Sequence, residues 1–300
     1  MRKIRNHFVA ASLFIVSAMG ASCDKTVVAP TSQPAVILDV FTSTYLLADI
    51  VRSIGGDAVR VDWVLDLGDS INDFSPTDEQ RQRMLTADMI VLDGVRRYEH
   101  WAAPRVGQPG VDRLAVSIEN LPFARTAPPN GLLQLDPVAV IELSNKIAER
   151  LSDTVRDTDT RQAELFRTNG QAFAQRVKQV LTDNPNNLFG RGVVVVLDDT
   201  YAPLFDRFGV RSVRVDADPL RLSNDDIRKI MRTAKDNAAK VLVVGFDTPP
   251  GTLVSIAQRT QLRVETLDPL GFANYAGHDT YIDVLKYNLD QLRRATNAAQ

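Results

Sequence analysis

The sequence predicts an α/β fold of two lobes, each a mainly parallel four-stranded sheet with flanking helices, the two joined by one long helix. Apolar, β-rich runs recur in two sets of four, with helically spaced segments between them. A stretch at 159–182 carries a helical apolar stripe and no strand of its own, and it separates the two sets. The chain beyond residue 22 is long enough for two domains of ordinary size.

The strands of the first set fall at 35–41 (AVILDVF), 58–65 (AVRVDWVL), 89–92 (MIVL) and 113–118 (RLAVSI). Those of the second fall at 192–197 (GVVVVL), 212–216 (SVRVD), 240–245 (KVLVVG) and 262–267 (LRVETL). Near-continuous Val/Ile/Leu runs indicate strands covered on both faces, as in parallel sheets, and their alternation with helical patterns indicates βαβ units. Among the helices, Leu46, Leu47, Ile50, Val51 and Ile54 form one face, which Gly55-Gly56 closes. Ser75-Pro76 and Asp136-Pro137 each place a capping side chain before a proline at the first helical position. A helix is expected after Ser223, and the last carries Ile282, Leu285, Leu289 and Leu292. Gly170 reads as a weak point in the helix at 159–182, which Asn184-Pro185 ends.

Before all of this, Arg2, Lys3 and Arg5 precede an apolar stretch at 8–19, then Gly20, Ala21, Ser22 and Cys23. That order is a secretory signal, and the apolar run is shorter than the ~20 residues a spanning helix needs. Cys23 is the only cysteine, so no disulfide can form within the chain. Its place after small residues resembles the lipid-attachment site of a bacterial lipoprotein; ordinary cleavage near Ala21 is the alternative. The resulting organisation is a signal peptide at 1–22, a tether at 23–34, an N-terminal lobe at 35–158, the connecting helix at 159–185 and a C-terminal lobe at 186–300. The formal charge of −2 becomes −5 when the three signal cations are removed. With no basic patch, nucleic acid is not an expected partner.

Several stretches have more specific wording: STYLLADIVRSIGGDAVRV, DFSPT, TADMIVLDGVRRYEHW, LDP at 135–137, DDTYAPLFDRFGV, TLDPLG at 266–271 and HDTYIDVLKYNLDQL at 278–292. In this order and spacing, across about 36–294, the chain resembles the zinc- and manganese-type solute-binding lipoproteins of ABC importers. The resemblance implies a rigid pair of lobes, a divalent metal held between them as the transported ligand, and delivery to an ABC permease. Asp24, just after Cys23, resembles the residue that retains such lipoproteins at the inner membrane. The expected form is therefore a monomer anchored in lipid through Cys23 on the periplasmic face of the cytoplasmic membrane, with cell adhesion as an associated role.

The family's metal ligands are three histidines, or two and a carboxylate, plus an aspartate. Here those positions hold Asn72, Leu132, Asp198 and Asp279, and His7, His100 and His278 occupy none of them. As metal candidates, Asn72, Asp198 and Asp279 would face one another across the lobe interface. An all-oxygen set suits Mn²⁺ or another hard cation better than Zn²⁺, which prefers imidazole and thiolate. The possible outcomes are Mn, Zn or no metal at all. Each candidate also has a local reading: Asp279 as the N-cap of the last helix, Asp198 or Asp199 as a cap or turn residue, Asn72 in a turn. His278 is expected in an exposed loop, and His100 packed or at the surface. Enzyme chemistry is poorly supported, since the chain has no P-loop lysine after Gly55-Gly56, no cysteine available as a nucleophile and no Gly-x-Ser-x-Gly. The alternative function is a two-lobed scaffold or interaction lipoprotein that has lost its metal.

Overall fold

The computed structural model describes residues 36–66, 69, 74–94, 99–106, 115–122 and 131–298. In chain order the first elements are β1 (Leu38–Thr44), α1 (Tyr45–Gly55), β2 (Val59–Leu65), α2 (Asp78–Thr86), β3 (Met89–Leu92), α3 (Ala103–Val106), β4 (Ala115–Ser117) and α4 (Pro137–Val155). They are followed by α5 (Thr160–Asp183), β5 (Val193–Val196), α6 (Ala202–Phe208), β6 (Arg211–Arg214), α7 (Asn224–Asp236), β7 (Val241–Gly245), α8 (Pro250–Thr260), β8 (Arg263–Leu267) and α9 (Tyr281–Ala298). The strands form two sheets, ordered β2-β1-β3-β4 and β6-β5-β7-β8, and every pairing is parallel. Among the described residues no helix is long and apolar enough to cross a membrane.

Each sheet is covered on both faces, which is why its strands are unbroken apolar runs. Along β5, Val194 and Val196 enter one core while Val193 and Val195 enter another. The first of these cores is continuous through both lobes. It joins Val40 and Val91 of the N-terminal sheet to Val194 and Val243 of the C-terminal sheet, through α1, α4, α5 and α9. Smaller clusters fill the outer faces, with Met84 of α2 beneath one sheet and Ile230 and Ile256 of α7 and α8 beneath the other.

Local chemistry sets the helix ends. Asp136 caps α4 by accepting the N–H of Val138 at 2.8 Å, with Pro137 at the first position as expected. α2 begins two residues later than Ser75-Pro76 would place it, because Thr77 and Gln80 form a capping box there. Gly170 is no weak point. It lies where α5 meets α4, and a Cβ there would sit 2.5 Å from that of Ala148.

The two sheets differ at their carboxyl ends, where open α/β sheets take ligands at the point of strand-order reversal. In the N-terminal sheet this point, between β1 and β3, is filled by the protein itself. Asp93 accepts the N–H groups of Leu133 at 3.1 Å and Gln134 at 2.6 Å. Gln134 in turn accepts from the Thr44 hydroxyl at 2.6 Å and donates to the carbonyl of Pro269, across the lobes, at 3.0 Å. In the C-terminal sheet the equivalent point, between β5 and β7, is open.

Candidate functional site

A cavity of about 540 Å³ occupies that open end. Its floor is the ends of β5 and β7, its side is the 217–221 segment, and Asp69 of the N-terminal lobe reaches its edge. Strand geometry explains the aspartates at its mouth. Once β5 and β7 end, the chain turns and leaves Asp198 and Asp247 at the exits, where each borders the cavity. Asp198 Oδ1 accepts the N–H of Thr200 at 2.8 Å, and Asp218 Oδ1 accepts that of Leu220 at 2.8 Å. These turns hold the two carboxylates in place. The Asp247 carboxyl is raised from its ordinary range by desolvation, with the charges of Asp268 and Asp198 adding to the effect.

Asp268 lies behind this wall, wholly buried, and accepts from Leu270 N–H at 3.0 Å and Gly271 N–H at 2.8 Å. Its Oδ2 is 2.6 Å from Nδ1 of His278. Burial raises the Asp268 carboxyl, and the bond to His278 partly offsets this. His278 is therefore not in an exposed loop. It is 5 % exposed, stacked on Phe246 at 4.0 Å, with Tyr287 at 4.4 Å. An imidazole becomes a core residue here because a carboxylate satisfies one nitrogen and aromatic rings cover its faces.

Of the residues expected at a metal site, Asp198 borders the cavity and Asp279 does not. Asp279 lies beside α1, where its carbonyl accepts from the Tyr45 hydroxyl at 2.9 Å and its charge acts on Asp49. Nor does Asp279 cap α9: the Thr280 hydroxyl accepts the N–H of Asp283 at 3.1 Å and donates to its carboxylate. Leu132 is 2 % exposed within the core, its N–H bonded to the carbonyl of Thr200 at 2.9 Å. The backbone there thus keeps the lobe-to-lobe approach while the side chain offers only carbon. Asp199 pairs with Arg214, and neither it nor Asp198 caps α6. His100 is at the surface. Asn72 and Cys23 lie outside the described residues.

Among the described residues no three His, Cys, Asp or Glu side chains converge closely enough to hold a metal ion. The residues that instead shape the cavity, Asp247 and Asp218 with Thr248 and Arg221, are not singled out by sequence reasoning. The signal that could have found Asp247 is its place in GFDTP, two residues past a buried strand.

The family model for zinc-uptake complex component A, periplasmic, matches residues 40–295. The manganese-binding lipoprotein MntA of Halalkalibacterium halodurans is 22% identical, over 97% of each chain. Zn(II)-bound AdcA from Streptococcus pneumoniae superposes with a TM-score of 0.72 at 17% identity, covering 87% of this chain and 58% of that one. FpvC from Pseudomonas aeruginosa, solved with Mn²⁺, gives 0.68 at 21% identity, over 88% of this chain and 100% of that one.

Proposed function

From this chain's membership of the zinc-uptake complex component A family, we propose that it is the extracytoplasmic solute-binding protein of an ABC-type importer of divalent metal. The carrying observation is the acidic cavity at the open end of the C-terminal sheet, with an edge contributed by the other lobe. That arrangement suits capture of a cationic solute between lobes. Binding is its whole task, with no catalytic step. The lobes extend over 35–158 and 186–300 on either side of the helix at 159–185. A lipid anchor at Cys23 holds the monomer at the periplasmic face of the cytoplasmic membrane, where it hands its solute to the permease. MntA and AdcA, named for manganese and zinc, support these metals as candidates.

One observation favours the scaffold alternative: Leu132 replaces a ligand with packed hydrocarbon. Transport measurements separate the two readings. Cells lacking the protein should lose uptake of labelled Mn²⁺ or Zn²⁺ under metal limitation. The wild-type protein should restore it, and Asp198→Asn with Asp247→Asn should not. Uptake that does not depend on the protein would favour the scaffold.

A further inference from the structure

The cavity is large for an ion. Six waters at about 30 Å³ each occupy roughly 180 Å³, so a fully hydrated divalent cation would fill a third of the 540 Å³ present. The volume falls instead within the range of about 300–1,000 Å³ typical of small-molecule sites. The walls are also of two kinds. Tyr201, Leu270 and Phe272 give hydrocarbon and aromatic surface, while Asp198, Asp218 and Asp247 give negative charge, which Arg221, 3.8 Å from Asp218, offsets only on that side.

The carboxylates of Asp198, Asp218 and Asp247 leave separate turns around the cavity. Among the described residues no three acidic, His or Cys side chains converge to hold an ion, and the position matched to the family's second histidine is the buried Leu132. Asp198 and Asp218 each hold a backbone N–H with one oxygen, which fixes their orientation toward the cavity rim. Acceptors spread in this way match a cation whose own ligands carry N–H or O–H groups, since charge-assisted hydrogen bonds to carboxylates are strong.

We propose that the cavity takes its metal as a cationic complex, its coordination shell already filled by a small organic chelator, and holds it through outer-sphere hydrogen bonds to Asp198, Asp218 and Asp247. The apolar wall then packs against the organic part. This rests on the reading of the cavity as the solute site, and it names the class of solute.

An exchange-inert complex tests it, because no protein group can displace the metal's ligands. The purified mature protein is titrated calorimetrically with tris(ethylenediamine)cobalt(III), MnCl₂ and spermidine at one ionic strength. The cobalt complex should bind at least about tenfold more tightly than Mn²⁺ and than spermidine, its charge-matched organic control. Asp247→Asn should weaken the complex about fivefold while leaving circular dichroism unchanged. Tighter binding of Mn²⁺ than of the complex would overturn the proposal and leave the metal-importer reading standing. Spermidine binding as tightly as the complex would also overturn it, because charge alone would then account for recognition. Binding of none of the three would overturn both the proposal and the assignment of the cavity.

Discussion

Phe173→Ala should lower the stability of the chain by about 3–5 kcal/mol, the usual cost of truncating a buried Phe. Both lobes should still unfold in one transition. Phe173 is 1 % exposed, on the face of α5 that enters the core common to the two sheets. Its ring meets Tyr281 at the start of α9 at 6.0 Å, so the cavity would open where the connecting helix touches the C-terminal lobe. A chain of this size should lose about 10 °C in Tm. The single transition is the sharper part of the expectation, because a continuous core leaves neither lobe a complete apolar interior of its own. Calorimetry checks both parts. Two separated transitions in the variant would mean that each lobe is held by its own core and that the shared one contributes little.

The second large effect is a pH dependence. Glu99 is 2 % exposed and lies beside Asp93, itself 1 % exposed, at the filled end of the N-terminal sheet. Its oxygens accept the N–H groups of Asp93 at 3.1 Å and Gly94 at 2.7 Å. Desolvation, with the charge of Asp93 adding, pushes its carboxyl up to about 8 from an ordinary 4.5. Below pH 4.5 both folded and unfolded states hold this proton, and no penalty arises. Between 4.5 and about 8 only the folded state holds it, so stability falls as pH rises, by about 1.4 kcal/mol per unit. Above that interval both states are ionised and the loss is complete.

Glu99→Gln should remove this slope. The amide cannot accept both backbone N–H groups as the carboxyl does, so the variant should be the less stable protein near pH 5. It should then overtake the wild type as pH approaches 8. Asp49, Asp247 and Asp268 are raised too and carry slopes of the same sign, so the difference between the two proteins is the quantity to follow. Denaturant midpoints from pH 5 to 9 supply it. Parallel curves for wild type and variant would show that Glu99 does not hold a proton in the folded state.

The sheets were legible because each strand is buried on both faces, and burial of that kind leaves an uninterrupted apolar run. The run at 89–92 coincides with β3, and that at 192–197 contains β5. The poorest match is β1, expected at 35–41 and found at Leu38–Thr44. Its last three residues, Thr42, Ser43 and Thr44, are polar yet buried, since they lie where the sheet end meets Gln134 and the loops above it. Hydropathy alone cannot anticipate a buried hydroxyl whose partner is 90 positions away.

The site was less legible for the same reason. Asp198 could be placed at a strand exit, but its neighbours Asp247 and Asp218 come from other loops, and nothing in local spacing links them. His278 looked exposed because it adjoins polar residues; its burial depends on Asp268, ten positions earlier, and on Phe246. Asp279 is suggested as a ligand by its matched position alone, and what the fold adds is that its carbonyl accepts from Tyr45 and its charge acts on Asp49, both on α1.

Anomalous diffraction at the cobalt edge, from crystals of the mature protein soaked in tris(ethylenediamine)cobalt(III), tests the assignment of the solute site most directly. The expected result is one cobalt peak in the cavity between the exits of β5 and β7. It should lie beyond the ~2.0–2.6 Å of direct coordination from the oxygens of Asp198 and Asp247. A cavity without cobalt, with the peak instead beside Asp279 and Asp49, would contradict that assignment and move the solute to the Asp279 side of the molecule.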